Sequence, residues 1–229
     1  MTRDLLKNID FIDILSRSCV KGPEHILSIR NFTFKADFIK TNQKVDFFSY
    51  AHHPWYLDQY DNELFSPQGL VHERNCLAIG ETGLDRTKLH QPLKKQLSSF
   101  HKHIELSEQL KKPLIIHCVK AYSDLLEAHK KYSPQQSWII HDFNQSRDFI
   151  HSIKQKNIFI SLGRNYYERE NSKVNKSITS IRPENIFFET DEMEIGIHEV
   201  YKKFCVDAKV EPEDLKKIVK ESFAKVFMA

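Results

Sequence analysis

The chain has 229 residues, 40% of them hydrophobic and 28% charged, with a formal net charge of +3. That balance excludes a disordered protein and suits one large domain, residues 1–229, because α/β barrels routinely run this long. So small a net charge neither requires nor excludes a polyanionic partner, since a local basic patch matters more than the total.

Short apolar, β-rich runs alternate with longer amphipathic stretches. Strands are expected at 11–15, 26–31, 45–50, 76–80, 114–117, 138–141, 158–162 and 186–189. Most are nearly continuous in apolar residues, as strands buried on both faces of a parallel sheet must be. About ten residues separate the first two, so the first helix should be tiny or absent. Leu93, Leu97, Phe100 and Ile104 recur at i, i+4, i+7 and i+11. They form one stripe of a helix that runs to about Lys111 and is stopped by Pro113. Weaker helical patterns lie at 121–132 and 145–156, and the last helix turns Leu215, Ile218, Val219, Phe223 and Val226 to one side. Eight strands alternating with helices predict the α/β class and, by their number, a (β/α)8 TIM barrel.

Composition also bounds the setting. Cys19, Cys76, Cys118 and Cys205 are scattered, with no C-x-x-C pair, which reads as a reduced protein rather than a disulfide framework. There is no apolar run of about 18 residues and no signal-peptide pattern, so a cytoplasmic protein without a membrane partner is expected.

Barrels of this kind build their sites at the C-terminal ends of the strands. Those ends offer Glu81, His117, His141 and Asp191, with His53 just past the third strand. One histidine there is commonly structural. Two carboxylates and two imidazoles converging on one mouth would repel or stay unsatisfied without a cation. A mixed His/Asp/Glu set suits Zn²⁺, Mn²⁺ or Mg²⁺. Two such ions can clamp a phosphate and activate water, with Glu81 as the natural shared ligand and Asp191 able to orient the water as a general base.

The strings SYAHHPWYL, AIGETGLD, KKPLIIHC, WIIHDF and FFETD resemble, in order, the motifs of the TatD family of metal-dependent nucleases. The resemblance implies an amidohydrolase-like barrel, divalent metals and hydrolysis of phosphodiester bonds, typically in single-stranded DNA from a 3′ end. It implies Glu81 as the shared metal ligand, His117 and His141 on one metal, and Asp191 on the other metal and the water. It also implies His53 and Lys120 facing the substrate phosphate, and Asp85 in a structural role. Family members open with Asp-x-His-x-His, whose histidines bind the first metal. Here the histidine positions fall on Leu15 and Arg17. A guanidinium at Arg17 could occupy that metal's place and pair with carboxylates or grip a phosphate.

Several further residues carry weaker expectations. Asp142 follows His141 too directly to share a ligand direction, and His52 reads as a surface or supporting residue. His101 and His103 are two apart on a helix and do not face each other. The run RNYYER, residues 164–169, either stacks on bases and holds phosphates or is a solvated loop. The leading expectation is a nucleic-acid phosphodiesterase. The alternatives are a catalytically degenerate barrel that binds nucleic acid or a protein, and a small-molecule amidohydrolase.

Overall fold

The computed structural model describes residues 3–17, 25–40, 45–60, 64, 69–87 and 91–228. The strands are β1 (Phe11–Ser16), β2 (Ile26–Phe32), β3 (Phe47–Tyr50), β4 (Cys76–Asp85), β5 (Leu114–Val119), β6 (Trp138–Ile140), β7 (Ile158–Leu162) and β8 (Ile186–Phe188). They follow one another in a single sheet in chain order, and the chain has the (β/α)8 barrel fold. The helices are α1 (Lys35–Lys40), α2 (Leu93–Leu110), α3 (Tyr122–Tyr132), α4 (Arg147–Ile153), α5 (Arg164–Tyr167), α6 (Ile197–Ala208) and α7 (Pro212–Phe227). The connection between β1 and β2, where the first helix was expected to be tiny, lies largely outside the described residues, as does Cys19. No helix among the described residues is long and apolar enough to cross a membrane.

The chain forms two compact units, Met1–Ile29 with His141–Ala229, and Arg30–Ile140. In the 30–140 unit, β3 through β6 pair in parallel, with Leu114, Ile115 and Ile116 opposite Trp138, Ile139 and Ile140. Trp138 is wholly buried and meets Phe100 of α2 edge-on at 5.4 Å, which ties helix to sheet. Helix α2 ends where Lys111 enters the left-handed region (φ 54°), and its N–H caps the Ser107 carbonyl. Pro113, which cannot continue a helix, follows directly.

The sequence pattern ended the fourth strand at Gly80 and put Glu81 at its tip. Instead β4 continues to Asp85, with all ten residues buried. Thr82, Gly83, Leu84 and Asp85 pair with Ile116, His117, Cys118 and Val119 of β5. Polar and glycine residues in this half broke the apolar run that marks a strand. Gly83 is required there: its φ is +139°, and a Cβ would lie 2.1 Å from the His117 carbonyl oxygen.

In the other unit, β7 and β8 pair in parallel, and the chain leaving β8 pairs with β1 through a bridge between Ser16 and Asp191. Asp191 N–H donates to the Leu15 carbonyl at 2.8 Å, and Arg17 N–H donates to the Asp191 carbonyl at 3.0 Å. Phe187, Phe188, Tyr201, Phe204 and Phe223 form the packed interior of this unit. Helix α7 begins at Pro212, with Glu213 and Asp214 favourably placed in its first turn. It buries Leu215, Val219, Phe223 and Val226, four of the five apolar positions expected to share its inner face.

Candidate metal centre

In the 30–140 unit three buried side chains meet. His53 follows β3, Glu81 lies at the register shift in β4, and His117 lies in β5. The shift leaves Glu81 between Gly80, paired with Ile115, and Thr82, paired with Ile116. A bulge of this kind re-aims a side chain, and such irregularities collect at functional sites. His53 Nε2 lies 3.2 Å and His117 Nδ1 lies 3.0 Å from the same carboxylate oxygen, Glu81 Oε1. One nitrogen or oxygen from each residue falls within 4.8 Å of the others, and among the described residues this is the one such His/Cys/Asp/Glu group.

The hydrogen bonds around the trio assign its protons. Trp55 N–H donates to His53 Nδ1 at 3.2 Å, so a neutral His53 carries its proton on Nε2 and donates it to Glu81. His117 lies between two carboxylates, with Nε2 3.1 Å from Asp85 Oδ2 and Nδ1 3.0 Å from Glu81 Oε1. A neutral ring has one proton, and when that proton is on Nε2 toward Asp85, Nδ1 is left as an acceptor. Two acceptors, His117 Nδ1 and Glu81 Oε1, then face each other at 3.0 Å. Such a contact needs a proton or a metal ion between the two atoms. The donor set fits an ion: a carboxylate and an imidazole, the imidazole backed by a second carboxylate in the arrangement that orients histidine ligands.

Asp85 is itself anchored. Trp55 Nε1–H donates to Oδ2 at 2.8 Å, and the Thr87 N–H and hydroxyl donate to Oδ1. Gln96 brackets its backbone, accepting from Asp85 N–H at 2.7 Å and donating to its carbonyl at 3.1 Å. Burial alone would raise the Asp85 carboxyl, but the bonds from His117, Thr87 and Trp55 outweigh it and hold the group well below the usual carboxylate range. The structural role expected of Asp85 therefore has a specific form, the positioning of His117.

Behind the trio, Tyr60 OH accepts from His53 N–H at 3.0 Å, and His52 stacks on the Tyr60 ring at 4.2 Å. His103 Nε2 accepts from His52 N–H at 3.1 Å. Burial pushes His52 down to about 4 and His103 down to about 3, so both rings are neutral props at ordinary pH. His52 is thus a supporting residue, buried rather than on the surface. Lys120 is exposed just after β5, in the left-handed region at φ 52°.

The other unit carries His141 and Asp191. Glu189 is fully buried, and its Oε1 lies 3.3 Å from His141 Nδ1 and accepts from Asp142 N–H at 2.8 Å. Its other oxygen accepts from the Ser161 hydroxyl. His141 is thus also backed by a carboxylate. Sequence reasoning missed this partner, whose signal was a glutamate closing the apolar run Ile186–Phe188. Asp142 is occupied by Asn165, whose N–H and side-chain amide donate to its two carboxylate oxygens at 2.7 and 2.6 Å. Burial and the nearby Glu189 charge push its carboxyl up.

Arg17 Nε sits 2.9 Å from Asp191 Oδ1, and its NH1 lies 3.8 Å from Glu192 Oε1. Leu15 is wholly buried. Of residues 164–169, expected as a loop or a base-stacking run, Arg164–Tyr167 form helix α5, and Tyr166 takes no part in stacking. Its ring is fully buried and its hydroxyl donates to Asp207 at 2.8 Å, so it cannot stack on a base.

Residues 16–228 match a family model described as TatD related DNase. A protein of Buchnera aphidicola subsp. Baizongia pistaciae, named an uncharacterized metal-dependent hydrolase, is 29% identical over 184 residues, 78% of this chain and 69% of that one. The human 3'-5' RNA nuclease TATDN2 is 44% identical over 68 residues, 29% of this chain and 9% of that protein. The crystal structure of YJJV, a TatD homolog from Escherichia coli, shares the fold at a TM-score of 0.82 and 14% identity, covering 96% of this chain and 98% of that one. This chain belongs to the TatD related DNase family.

Proposed function

We propose that the protein is a divalent-metal-dependent hydrolase of phosphodiester bonds in nucleic acid, of the deoxyribonuclease type and acting on single strands. The observation that carries the reading is the buried meeting of His53, Glu81 and His117, with His117 Nδ1 3.0 Å from Glu81 Oε1 and its Nε2 backed by Asp85. Family membership and the nuclease name of the human relative support the substrate class.

Glu81 and His117 would hold the ion. When bound, it supplies Lewis-acid polarisation of a phosphoryl oxygen. Asp85, 3.1 Å from His117 Nε2, would keep the ring turned and the proton on Nε2, leaving Nδ1 for the ion. His53, with Nδ1 accepting from Trp55, has its Nε2–H on Glu81 Oε1 and is proposed to turn that proton toward a phosphate oxygen when the ion takes the carboxylate. His141, with its Nδ1 held by Glu189, is in a similar oriented state. Asp191 is the carboxylate proposed to take a proton from the attacking water, and Lys120 and Arg17 supply positive charge for phosphate. Cys76, Cys118 and Cys205, free among the described residues, suit a reducing compartment such as the cytoplasm.

One observation favours a second reading, a barrel that binds nucleic acid without cleaving it: Leu15 and Arg17 stand at the two family histidine positions. A single assay separates the two. The full chain is incubated with labelled single-stranded DNA or RNA and Mn²⁺ or Mg²⁺, beside Glu81→Gln and His117→Ala. Cleavage abolished by EDTA and by both substitutions supports the hydrolase. Cleavage that survives them, or binding without cleavage, sinks it.

A further inference from the structure

The pair Arg17–Asp191 sits on a rigid frame. The Asp191 N–H donates to the Leu15 carbonyl and the Arg17 N–H to the Asp191 carbonyl, so the backbones of β1 and the segment after β8 fix both residues. The ion pair is half-buried, with 27% and 22% of the two side chains exposed, and its Nε–Oδ1 separation is 2.9 Å. A second acidic group, Glu192, lies 3.8 Å from the same guanidinium. Leu15, two residues before Arg17 and within β1, is fully buried and has no ligand atom to offer.

A two-ion centre of the family type needs imidazoles at positions 15 and 17. The residues present do not fit that first ion: one is apolar and the other is a permanent cation in contact with the carboxylate that would have to bind it. A guanidinium cannot lose its proton to become a ligand, and it repels a divalent ion brought to the same oxygen.

We infer that the Arg17 guanidinium is itself the cation that partners Asp191, so that the chain takes up one divalent ion rather than two. The inference rests on the reading of the protein as a metal-dependent hydrolase. Arg17 takes over part of the work of the missing ion, since its planar fork of N–H donors matches a phosphoryl oxygen pair as well as a carboxylate. Asp191 is thereby released from metal binding and acts on the water alone.

Metal counting tests this without turnover. The purified full chain is loaded with Mn²⁺, desalted, and its metal counted by mass spectrometry, with affinity from titration calorimetry. Wild type is expected to retain one ion per chain. Asp191→Asn should also retain one, with affinity within about threefold of wild type, while Glu81→Gln retains none. Leu15→His combined with Arg17→His should raise the count to two. Two ions in wild type, or loss of the ion in Asp191→Asn, overturns the inference and leaves the hydrolase reading standing. A folded double variant that still takes one ion overturns it as well. No ion in wild type overturns both, whereas one ion without nuclease activity leaves the inference standing and removes the nuclease substrate from the hydrolase reading. If the double variant fails to fold, the Asp191→Asn count decides.

Discussion

Replacing Asp13 with Asn should flatten the pH dependence of stability, with little effect near pH 4 and a growing gain toward pH 8. Asp13 in β1 is 4% exposed, and burial pushes its carboxyl up to about 7 from an ordinary value of 3.8. Bonds from the Thr190 hydroxyl at 2.6 Å and the Thr190 N–H at 3.2 Å pull the other way, and the Glu189 charge adds to the rise. The folded protein therefore holds this proton more tightly than the unfolded chain. The stabilisation is fully present below about pH 4 and is lost as pH climbs through about 7. At about 1.4 kcal/mol per pH unit the whole change is worth about 4 kcal/mol. Asn keeps an oxygen for the Leu15 and Thr190 N–H groups and places an amide donor against the Thr190 hydroxyl, with no charge to desolvate. Urea unfolding of wild type and Asp13→Asn, run in steps from pH 4 to pH 8, isolates the effect, because groups not coupled to Asp13 cancel in the difference. The stability of the variant relative to wild type should grow by about 4 kcal/mol over that window. A difference that stays flat to within about 1 kcal/mol, or that shrinks as pH rises, refutes the reasoning.

Three other outcomes follow from the same geometry. Asp85→Asn removes the carboxylate that orients His117, and calorimetry with Mn²⁺ should show metal affinity weakened about 10- to 100-fold. Unchanged affinity would mean that Asp85 does not position the ligand. Gly83→Ala puts a Cβ 2.1 Å from the His117 carbonyl oxygen at a backbone φ of +139°, so a loss of at least about 2 kcal/mol is expected. It should appear as a melting temperature lower by roughly 5 °C. Trp138→Ala empties a fully buried site against Phe100 and His129, and urea unfolding should show a loss of about 3–5 kcal/mol.

The strands were legible because burial on both faces demands continuous apolar runs, and β7 falls on residues 158–162 as read. The same rule hid the second half of β4, where Glu81, Thr82, Gly83 and Asp85 interrupt the pattern while lying wholly inside. Residue types were legible at the site for the converse reason. A histidine or glutamate set into an apolar strand costs desolvation, so Glu81, His117 and His141 stood out as candidates. Their partners did not. Asp85 was read as structural, and only the fold shows that His117 is what it holds. Glu189 lay unnoticed two residues before Asp191, because its contacts with His141 and Ser161 join positions 48 and 28 residues apart. Arg17 marks the limit most clearly. Its spacing from Asp13 located it just past the first strand, but one residue cannot tell a phosphate clamp from a surrogate ion. That distinction depends on which carboxylate the guanidinium faces, and the pairing of β1 with the segment after β8 decides it in favour of Asp191. A strand pattern thus identifies which polar residues are costly enough to need a purpose, while the register between distant strands sets what that purpose is.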